Sequence, residues 1–276
     1  MNDPLDPGLY IVATPIGNLS DLSPRAAMIL SRADLLAVED TRITAKLLNH
    51  IGVKRPMTPY DDHNADRVRP GLVAQMRDKA VALVSDAGTP LISDPGYKLV
   101  RDARAAGVAV TTIPGPSALI AALTLAGLPT DRFAFFAFLP AKAGAKASAI
   151  AEAARFEGTL VFYESGPRLG ATLAALREGL GDREGAVTRE ISKAFEETVT
   201  GSLGDLAKRY GDAPPKGEIV IVVGPPVAAE APGEAEIEAS LREAMTRLSP
   251  SRAAAEVAER LGLPRRAVYE RAQRLK

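Results

Sequence analysis

The chain has 276 residues, of which 46% are hydrophobic and 25% are charged, a balance typical of a globular protein with one or two domains. Its formal net charge is zero, which excludes a general basic surface for nucleic acid and leaves only local ones. It contains no cysteine, so disulfides, thiolate nucleophiles and cysteine-based zinc sites are excluded.

The start of the chain is polar and carries Asp3 and Asp6, unlike a signal peptide. No apolar run approaches the ~20 residues that a membrane-spanning helix needs. We therefore expect a cytoplasmic protein that has no membrane segment and no membrane partner.

Strands and helices alternate in the first half of the chain. Apolar runs predict strands over 9–14, 35–38, 80–84 and 108–113. The intervening segments predict helices that begin at Pro24 and that span 41–48, 67–79, 95–106 and 118–125. This alternation is typical of an α/β protein with a parallel, three-layered sheet. Because the strands run into corners that carry glycine, proline or carboxylates, one rim of the sheet is expected to collect these residues.

The stretch Val84–Gly96 is the most distinctive of these corners. A buried strand runs directly into a loop with two hydroxyls and two carboxylates, those of Ser85, Asp86, Ser93 and Asp94. Gly88 permits positive φ or a close backbone approach. Ser93 or Asp94 is expected to cap a helix whose first residue is Pro95. Since open α/β sheets bind ligands outside the carboxyl ends of their strands, this loop predicts a ligand site.

The second half has fewer helices per strand, which favours a mixed sheet. Strands are predicted over 133–139, 159–163, 186–191, 197–201 and 219–223, and helices over 145–155, 167–178 and 203–210. A linker over 128–131 divides an N-terminal α/β domain, 1–130, from a second α/β domain, 131–226.

The remainder of the chain differs in composition. Residues 227–240 contain glutamates but no basic residue and predict a solvated acidic linker. Residues 241–276 hold nine basic and four acidic residues. Ser249-Pro250 opens one helix that Gly262 ends, and Pro264 opens a second that runs to Leu275, which suggests a helix-turn-helix-like hairpin. This basic hairpin either packs as an appendage or contacts nucleic acid.

Several common site motifs are absent. The sequence has no Gly-x-Gly-x-x-Gly, no Gly-Lys-Ser/Thr and no Gly-x-Ser-x-Gly, so a standard dinucleotide site, a P-loop and a serine-hydrolase elbow lack support. The two histidines, His50 and His63, are not at metal-ligand spacing, and no metal is expected.

Six segments together resemble one family. They are Tyr10–Leu19 (YIVATPIGNL), Glu39–Arg42 (EDTR), Asp62–Asn64 (DHN), Ser85–Gly96 (SDAGTPLISDPG), Pro114–Ser117 (PGPS) and Phe162–Ser165 (FYES). The chain resembles the ribosomal RNA small subunit methyltransferase I family, within the tetrapyrrole-methylase-like enzymes. The resemblance runs from about Leu9 to Gly224, and the basic tail looks like the family's C-terminal extension. One departure is Ala13, where the family pattern has proline.

The resemblance implies an S-adenosylmethionine-dependent enzyme that 2′-O-methylates a cytidine ribose in the decoding region of small-subunit ribosomal RNA. The fold that it implies is two α/β domains of the tetrapyrrole methylase type, with the cofactor in a cleft between them and a small helical C-terminal extension. The implied assembly is a homodimer, and the implied partner is the ribosomal RNA, either free or within the assembled small subunit.

The same resemblance implies the cofactor residues. Gly88, Thr89, Pro90 and Ile92 are expected to line the cofactor pocket, with Ser117 and Ala118 beside them. Pro15 and Gly17 are expected to approach from the first corner. Tyr163 and the segment 216–218 are weaker candidates from the second domain. Plain core packing is the alternative for Ile92 and Ala118.

A ribose hydroxyl is a poor nucleophile, so a proton acceptor is expected nearby. His63 is one candidate, because histidine ordinarily titrates near neutral pH, and Asp62 or Asp61 would fix its tautomer. Asp40 or Glu39 is the rival, acting directly or by orienting Arg42. The structural alternatives are that Asp62, His63 and Asn64 cap the following helix and that Glu39 pairs with Arg42.

Phosphate contacts are expected from local basic patches. Arg42, Arg189 and Lys193 would lie on the RNA side of the site, and Arg252, Arg265 and Arg266 belong to the basic hairpin. Two other functions stay open: a tetrapyrrole C-methyltransferase on the same fold, and a non-catalytic RNA-binding or ribosome-assembly module.

Overall fold

The computed structural model describes residues 4–211, 213–226 and 233–275. The chain forms two compact units, residues 1–225 and 226–276. The predicted division of the first unit into two domains at 128–131 stays a prediction, although the chain passes there from the last helix beside one sheet to the first strand of another.

The first sheet has five strands, all parallel, in the order β3-β2-β4-β1-β5. Its strands are β1 (Gly8–Val12), β2 (Leu35–Val38), β3 (Met57–Pro59), β4 (Ala80–Val84) and β5 (Val110–Ile113). Its helices are α1 (Pro24–Arg32), α2 (Thr41–His50), α3 (Ala65–Gln75), α4 (Tyr97–Ala105) and α5 (Ala118–Ala126). The predicted parallel α/β sheet is confirmed. The sequence did not indicate β3, because three residues that include a proline carry no strand pattern and suit only a sheet edge.

Apolar runs place β2 and β4 at the centre of this sheet. All residues of both strands are buried, as expected for strands that are covered by helices on both faces. One face packs against α1 and α2 through side chains such as Leu30 and Leu48, and the other packs against α3 and α4 through Leu72 and Leu99. The two faces together form a core that fixes the carboxyl rim of the sheet.

Ala13 follows β1 at the point where the family pattern has proline. Its backbone N–H donates to the carbonyl of Ile113 at 3.2 Å, a bond that a proline could not make. The departure from the family pattern therefore adds one backbone hydrogen bond between the ends of β1 and β5.

The second sheet is mixed, as predicted, with the order β6-β7-β10-β8-β9. Its strands are β6 (Phe133–Phe138), β7 (Thr159–Ser165), β8 (Glu184–Arg189), β9 (Glu197–Ser202) and β10 (Glu218–Val223). Only β6 and β7 pair in parallel, and the other pairs are antiparallel. Helices α6 (Ala143–Ala153), α7 (Leu169–Leu180) and α8 (Leu203–Gly211) cover one face through a cluster around Phe162 and Leu173.

The second unit is a set of three helices, α9 (Glu234–Met245), α10 (Pro250–Leu261) and α11 (Arg265–Arg274). The turn between α10 and α11 contains Gly262 with a φ of 64°, so the predicted hairpin is confirmed. The predicted acidic linker over 227–240 is wrong from Glu234 onward, and residues 227–232 lie outside the described residues. The segment is helical because Ile237, Leu241 and Ala244 form an apolar stripe that packs against α10 and α11.

The predicted cap of α4 is also wrong. The helix begins at Tyr97 after Gly96, whose φ is 140°, and neither Ser93 nor Asp94 caps it. The loop instead uses positive φ at Leu91 (77°) and Ser93 (64°), which non-glycine residues rarely adopt. Such backbone conformations persist only where the surroundings enforce them, and they cluster at functional sites.

Gly96 offers a test of how tightly this loop is held. A Cβ there would meet Leu83 Cδ2 at 2.8 Å, in addition to the unfavourable φ. We expect Gly96→Ala to lower the free energy of unfolding by about 1–3 kcal/mol in urea denaturation. Gly71→Ala is the control, because that helical position has nothing within 4 Å, and it should gain about 0.5–1 kcal/mol. Equal stability of Gly96→Ala and the wild type would show that the loop adapts freely.

Candidate functional site

Hydrogen bonds join the corners that follow β1, β2, β4 and β5. Thr14 and Gly88 exchange backbone bonds of 2.8 and 3.1 Å. The Thr89 hydroxyl donates to the Pro116 carbonyl at 3.1 Å. The backbone N–H of Asp40 donates to the Asp86 carboxylate at 3.0 Å. The carboxyl rim of the first sheet is therefore one connected surface built around the Ser85–Gly96 loop.

A cavity of about 390 Å³ lies at this rim, a size suited to a small ligand. One side of its wall comes from the Ser85–Gly96 loop and the start of α5, and the other from β7 and β10. Apolar contributions come from Ile92, Ala118, Phe138, Ile219 and Val220. The ring of Tyr163, also in the wall, packs edge-on against Phe135 and Phe138 at centroid distances of 4.8 and 5.6 Å.

A second cavity of about 510 Å³ adjoins the first at the corner after β1. Its wall includes Pro15, Gly17, Leu19, Ile43, Lys46 and Lys193. Ile16, Asp86, Ala87 and Glu218 line both cavities. The two cavities therefore share a wall.

The wall of the first cavity is acidic. Glu39, Asp86, Asp94, Glu164 and Glu218 line it, and among the described residues no lysine or arginine does. Burial, followed by repulsion from the neighbouring Glu39 carboxylate, raises the pKa of the Asp94 carboxyl to about 6. Burial also raises the pKa values of Glu39 and Asp86. An acidic wall of this kind suits a cationic ligand.

Asp94 predicts how the stability of the protein depends on pH. The pKa of Asp94 in the folded protein, about 6, lies above the ordinary 3.8. The contribution of this group to stability is therefore fully present at a pH below 3.8, and it is lost as the pH rises through about 6. We expect Asp94→Asn to raise the melting temperature at about pH 7.5 and to leave it unchanged at about pH 3.5. Thermal unfolding at both pH values measures this, with exposed Asp78→Asn as the control. The same gain in melting temperature at both pH values would contradict the raised pKa of Asp94.

Glu164 differs from the other carboxylates because its side chain is fully buried and fully partnered. It accepts hydrogen bonds from the Thr172 hydroxyl at 2.7 Å and from the Ser165 backbone N–H at 2.8 Å. Arg168 lies 3.3 Å from it as its counter-charge. Glu164 therefore stabilises the wall made by β7.

The predicted cofactor residues divide between the two cavities. Gly88, Thr89, Ile92, Ser117, Ala118 and Tyr163 line the first, as do Gly217 and Glu218 of the weaker segment 216–218. Pro15 and Gly17 line the second cavity instead. Pro90 is buried and is in neither wall. The role of each residue stays a prediction.

The predicted catalytic residues lie mostly off the wall. Glu39 lines the first cavity, whereas Asp40, Asp62 and His63 line neither cavity. His63 is exposed, and its imidazole has no hydrogen bond within the described ranges. Asp61 does not fix the imidazole, because its carboxylate accepts the backbone N–H groups of His63 and Asn64 at 2.9 and 3.1 Å. His63 as the base stays a prediction that these contacts do not support.

Two structural alternatives for this region are also wrong. Asn64 precedes α3 without a side-chain capping bond, because Asp61 forms the turn there. Arg42 pairs with Asp40 at 2.6 Å rather than with Glu39. The hydrogen bonds that the side chain and the backbone N–H of Arg42 donate to the Asp40 carboxylate lower the pKa of Asp40 to about 2.

The predicted RNA-binding residues differ in whether their charge is already paired with a carboxylate. Arg189 binds Glu197 at 3.1 Å, and Lys193 binds Glu190 and Glu218 at 2.9 Å each. In the second unit Arg266 pairs with Glu270 at 3.1 Å. Arg252 and Arg265 are exposed and have no ion-pair partner in the part of the chain that the structure describes. Their contact with RNA stays a prediction.

Sequence reasoning missed Asp94 and Asp86 as individual site residues. The signal was present, because both carboxylates are in the loop that the sequence singled out as a ligand site. Lys46 was also missed, since a single lysine in an amphipathic helix is indistinguishable from a solvated surface residue.

The described residues contain neither a metal-binding cluster nor a membrane-spanning helix. Within residues 4–211, 213–226 and 233–275, no group of three or more His, Asp or Glu side chains could hold a metal ion. None of the helices in these ranges has the length and apolar character needed to cross a membrane.

Comparison with known proteins assigns the family. The protein family described as "Tetrapyrrole (Corrin/Porphyrin) Methylases" matches residues 8–207 of the chain. The family described as "RsmI C-terminal HTH domain" matches residues 231–276. The chain is 54% identical over 274 residues to a ribosomal RNA small subunit methyltransferase I from Erythrobacter litoralis (strain HTCC2594), which covers 99% of this chain and 97% of that one. A protein of the same name from Mesorhizobium japonicum (strain LMG 29417 / CECT 9101 / MAFF 303099) is 47% identical over 276 residues, or 99% and 94% of the two chains.

A solved structure supports the fold. Uroporphyrin-III C-methyl transferase from Thermus thermophilus, complexed with S-adenyl homocysteine, has a TM-score of 0.54 and 21% identity, and the match covers 79% of this chain and 97% of that one. At this identity the likeness concerns the fold alone. From the family matches and the identity of nearly the whole chain to its relatives, the protein is a methyltransferase that belongs to the ribosomal RNA small subunit methyltransferase I family, on the tetrapyrrole methylase fold.

Proposed function

We propose that this enzyme transfers a methyl group from S-adenosylmethionine to the 2′-hydroxyl of a cytidine in the decoding region of small-subunit ribosomal RNA. The observation that carries the proposal is the acidic cavity at the Ser85–Gly96 loop, in a chain 54% identical to a relative with that RNA in its name. The cytoplasm, where ribosomes assemble, is the proposed location.

The cofactor is S-adenosylmethionine, and the first cavity fits it. This ligand carries a positive sulfonium, which the carboxylates of Glu39 and Asp94 suit in a wall without lysine or arginine among the described residues. Its adenosine portion suits the apolar surfaces of Ile92, Ala118 and Val220. When bound, it supplies an activated methyl group. The related fold with S-adenyl homocysteine bound is consistent with this choice.

The protein's part in such a transfer is mainly positioning. A methyl transfer needs the acceptor oxygen in line with the methyl group at about 3 Å, and such alignment supplies roughly 7–11 kcal/mol. The loop with positive φ at Gly88, Leu91 and Ser93 forms one side of the wall. The wall carboxylates that have no ion pair among the described residues, those of Glu39, Asp86 and Asp94, are available to receive the proton of the hydroxyl.

RNA affinity is proposed to come from local basic residues, since the net charge is zero. Arg252 and Arg265 in the second unit are exposed and unpaired among the described residues, so they are available for phosphates. If the unit binds single-stranded RNA, the logarithm of affinity should fall with the logarithm of salt at about −0.7 per phosphate contact.

A homodimer is proposed as the assembly. Ile120 and Leu125 on α5 and Phe133 on β6 are large apolar side chains with exposures of 49%, 38% and 40%, which a second copy could cover. Sedimentation equilibrium of the full chain should give twice the mass of 29.0 kDa. A monomer at micromolar concentration would contradict this part of the proposal.

Transfer of a radiolabelled methyl group tests the substrate. The full chain is incubated with labelled S-adenosylmethionine and with unmethylated small ribosomal subunits, free small-subunit RNA or a tetrapyrrole. Label in the RNA of either ribosomal sample supports the proposal and shows which form is the substrate. Label in the tetrapyrrole alone, or cofactor binding without transfer to any acceptor, would contradict it; the latter result fits a non-catalytic RNA-binding module.

A further inference from the structure

The second cavity adjoins the cavity assigned to the methyl donor. Ile16, Asp86, Ala87 and Glu218 line both, so a group held in one cavity faces a group held in the other across these residues. A methyl transfer requires donor and acceptor to meet at such a boundary. The second cavity is therefore the place where an acceptor can approach the donor.

The wall of the second cavity combines the features that bind a nucleotide. Pro15, Leu19 and Ile43 supply an apolar surface, and the latter two side chains are 42% and 41% exposed. Exposed large apolar side chains at a cavity suit the face of an unstacked base, the form in which proteins commonly recognise RNA. The polar part of the wall comes from Thr14, two carboxylates, Asp86 and Glu218, and two lysines.

The two lysines are not equivalent. Lys193 is held by Glu190 and Glu218 at 2.9 Å each, so its charge is already compensated. Lys46 is on α2, is exposed and has no ion-pair partner within the described residues. A cation without a partner beside an apolar surface is suited to a phosphate of the nucleotide backbone.

Asp86 is held in place at the shared wall. Its carboxylate accepts the backbone N–H of Asp40 at 3.0 Å, and its own N–H donates to Glu39 at 3.4 Å. Arg42, the nearby cation, pairs with Asp40, so Asp86 has an oriented but unpaired carboxylate. Its partial burial raises its pKa, which makes it a better proton acceptor than an exposed aspartate.

We propose that the second cavity binds the acceptor nucleotide of a single-stranded RNA, with its phosphate at Lys46, and that Asp86 takes the proton from the ribose 2′-hydroxyl. This inference rests on the proposed function and names the residues that serve its acceptor. The 2′-oxygen forms a bond to the methyl carbon as that carbon's bond to sulfur breaks, and the electron pair stays on the sulfur. The hydroxyl proton passes to the Asp86 carboxylate and then to solvent.

The first experiment compares Asp86→Asn with the wild type in single-turnover methyl transfer to unmethylated small subunits. Asparagine keeps the acceptor oxygen for the Asp40 N–H but is not a base. We expect the rate at saturating cofactor and subunit to fall about 10²–10⁴-fold, with cofactor affinity changed less than about tenfold. Asp78→Asn, which is exposed on the segment before β4, controls for the loss of one carboxylate and should match the wild type.

The pH profile gives a second readout that a merely structural role would not change. The wild-type rate should fall toward low pH as Asp86 gains a proton, and this decrease should be missing in Asp86→Asn. Other groups face Asp86 from the surrounding elements and set where this decrease lies. They are Glu39, Asp40, Arg42, Lys46, Asp94, Lys193 and Glu218.

Lys46 is tested separately as a binding residue. Lys46→Ala should raise the KM for subunits about fivefold or more, leave kcat within about twofold and reduce the salt dependence of binding. Lys79→Ala is the matched control, because Lys79 is exposed at the amino end of β4, on the opposite edge of the sheet from Asp86.

The outcomes separate this inference from the proposed function. If the wild type transfers no methyl group to the subunit RNA, the proposed function fails, and this inference fails with it. If the wild type transfers and Asp86→Asn does so at the wild-type rate, only the inference fails. A folded Asp86→Asn that has lost cofactor binding would also overturn it, because Asp86 would then serve the donor.

Discussion

Ala118→Phe is expected to abolish cofactor binding while the protein stays folded. Ala118 is the first residue of α5, is half-buried and lines the first cavity. A phenyl ring at this position occupies space that the ligand needs within a cavity of about 390 Å³. We expect the Kd for S-adenosylmethionine, measured by isothermal titration calorimetry, to rise at least about 100-fold, equivalent to about 2.7 kcal/mol.

Two further variants make this result specific. Ala145→Phe adds the same ring at an exposed site on α6 and should bind the cofactor like the wild type. Ile92→Trp enlarges the part of the wall made by the Ser85–Gly96 loop, at a side chain that is 40% exposed, where a larger group does not disturb the core. Wild-type affinity in both Ala118→Phe and Ile92→Trp would show that the cofactor binds elsewhere.

Arg168→Ala is expected to be the most destabilising single change at the site. The Glu164 side chain is fully buried, and Arg168, at 3.3 Å, supplies its counter-charge. Removing one partner of a buried pair leaves an uncompensated charge and typically costs 3–5 kcal/mol. Because the Arg168 side chain is 34% exposed, we expect the lower end of that range, about 3 kcal/mol in urea denaturation.

A double-mutant cycle separates the charge effect from lost packing. In the background Glu164→Gln, where no buried charge remains, Arg168→Ala should cost less than about 1 kcal/mol. Arg177→Ala is the control, because its ion pair with Asp182 is exposed and 3.8 Å long, and it should cost less than about 0.5 kcal/mol. The same loss for Arg168→Ala and Arg177→Ala would mean that Glu164 is solvated and needs no counter-charge.

The sheet and the position of the Ser85–Gly96 loop at its rim could be predicted from the sequence because their signals are local. An apolar run such as Ala80–Val84 predicts a buried strand, and the polar loop behind it has no simpler explanation than a site. The short edge strand β3 and the start of α9 gave weaker local signals. In both cases tertiary contacts decide the structure: pairing with β2 for β3, and packing against α10 and α11 for α9.

The individual site residues were harder to predict, since their roles depend on distances between segments that are far apart in the sequence. His63 stood out by residue type, yet it is exposed and lines neither cavity. Asp86 stood in the predicted loop, but its orientation comes from the backbone of Asp40, 46 residues away. The pairing of Lys193 with Glu218 likewise joins residues 25 apart and could not be inferred from spacing.

Mass spectrometry of the nucleosides tests the central claim most directly. Unmethylated small subunits are incubated with the enzyme and S-adenosylmethionine, and their RNA is digested to nucleosides. The proposed function predicts one additional 2′-O-methylcytidine per subunit. Subunits incubated with the wild-type enzyme but without the cofactor should show no gain. A methyl group on a base, or RNA that stays unmethylated although the enzyme binds the cofactor, would contradict it.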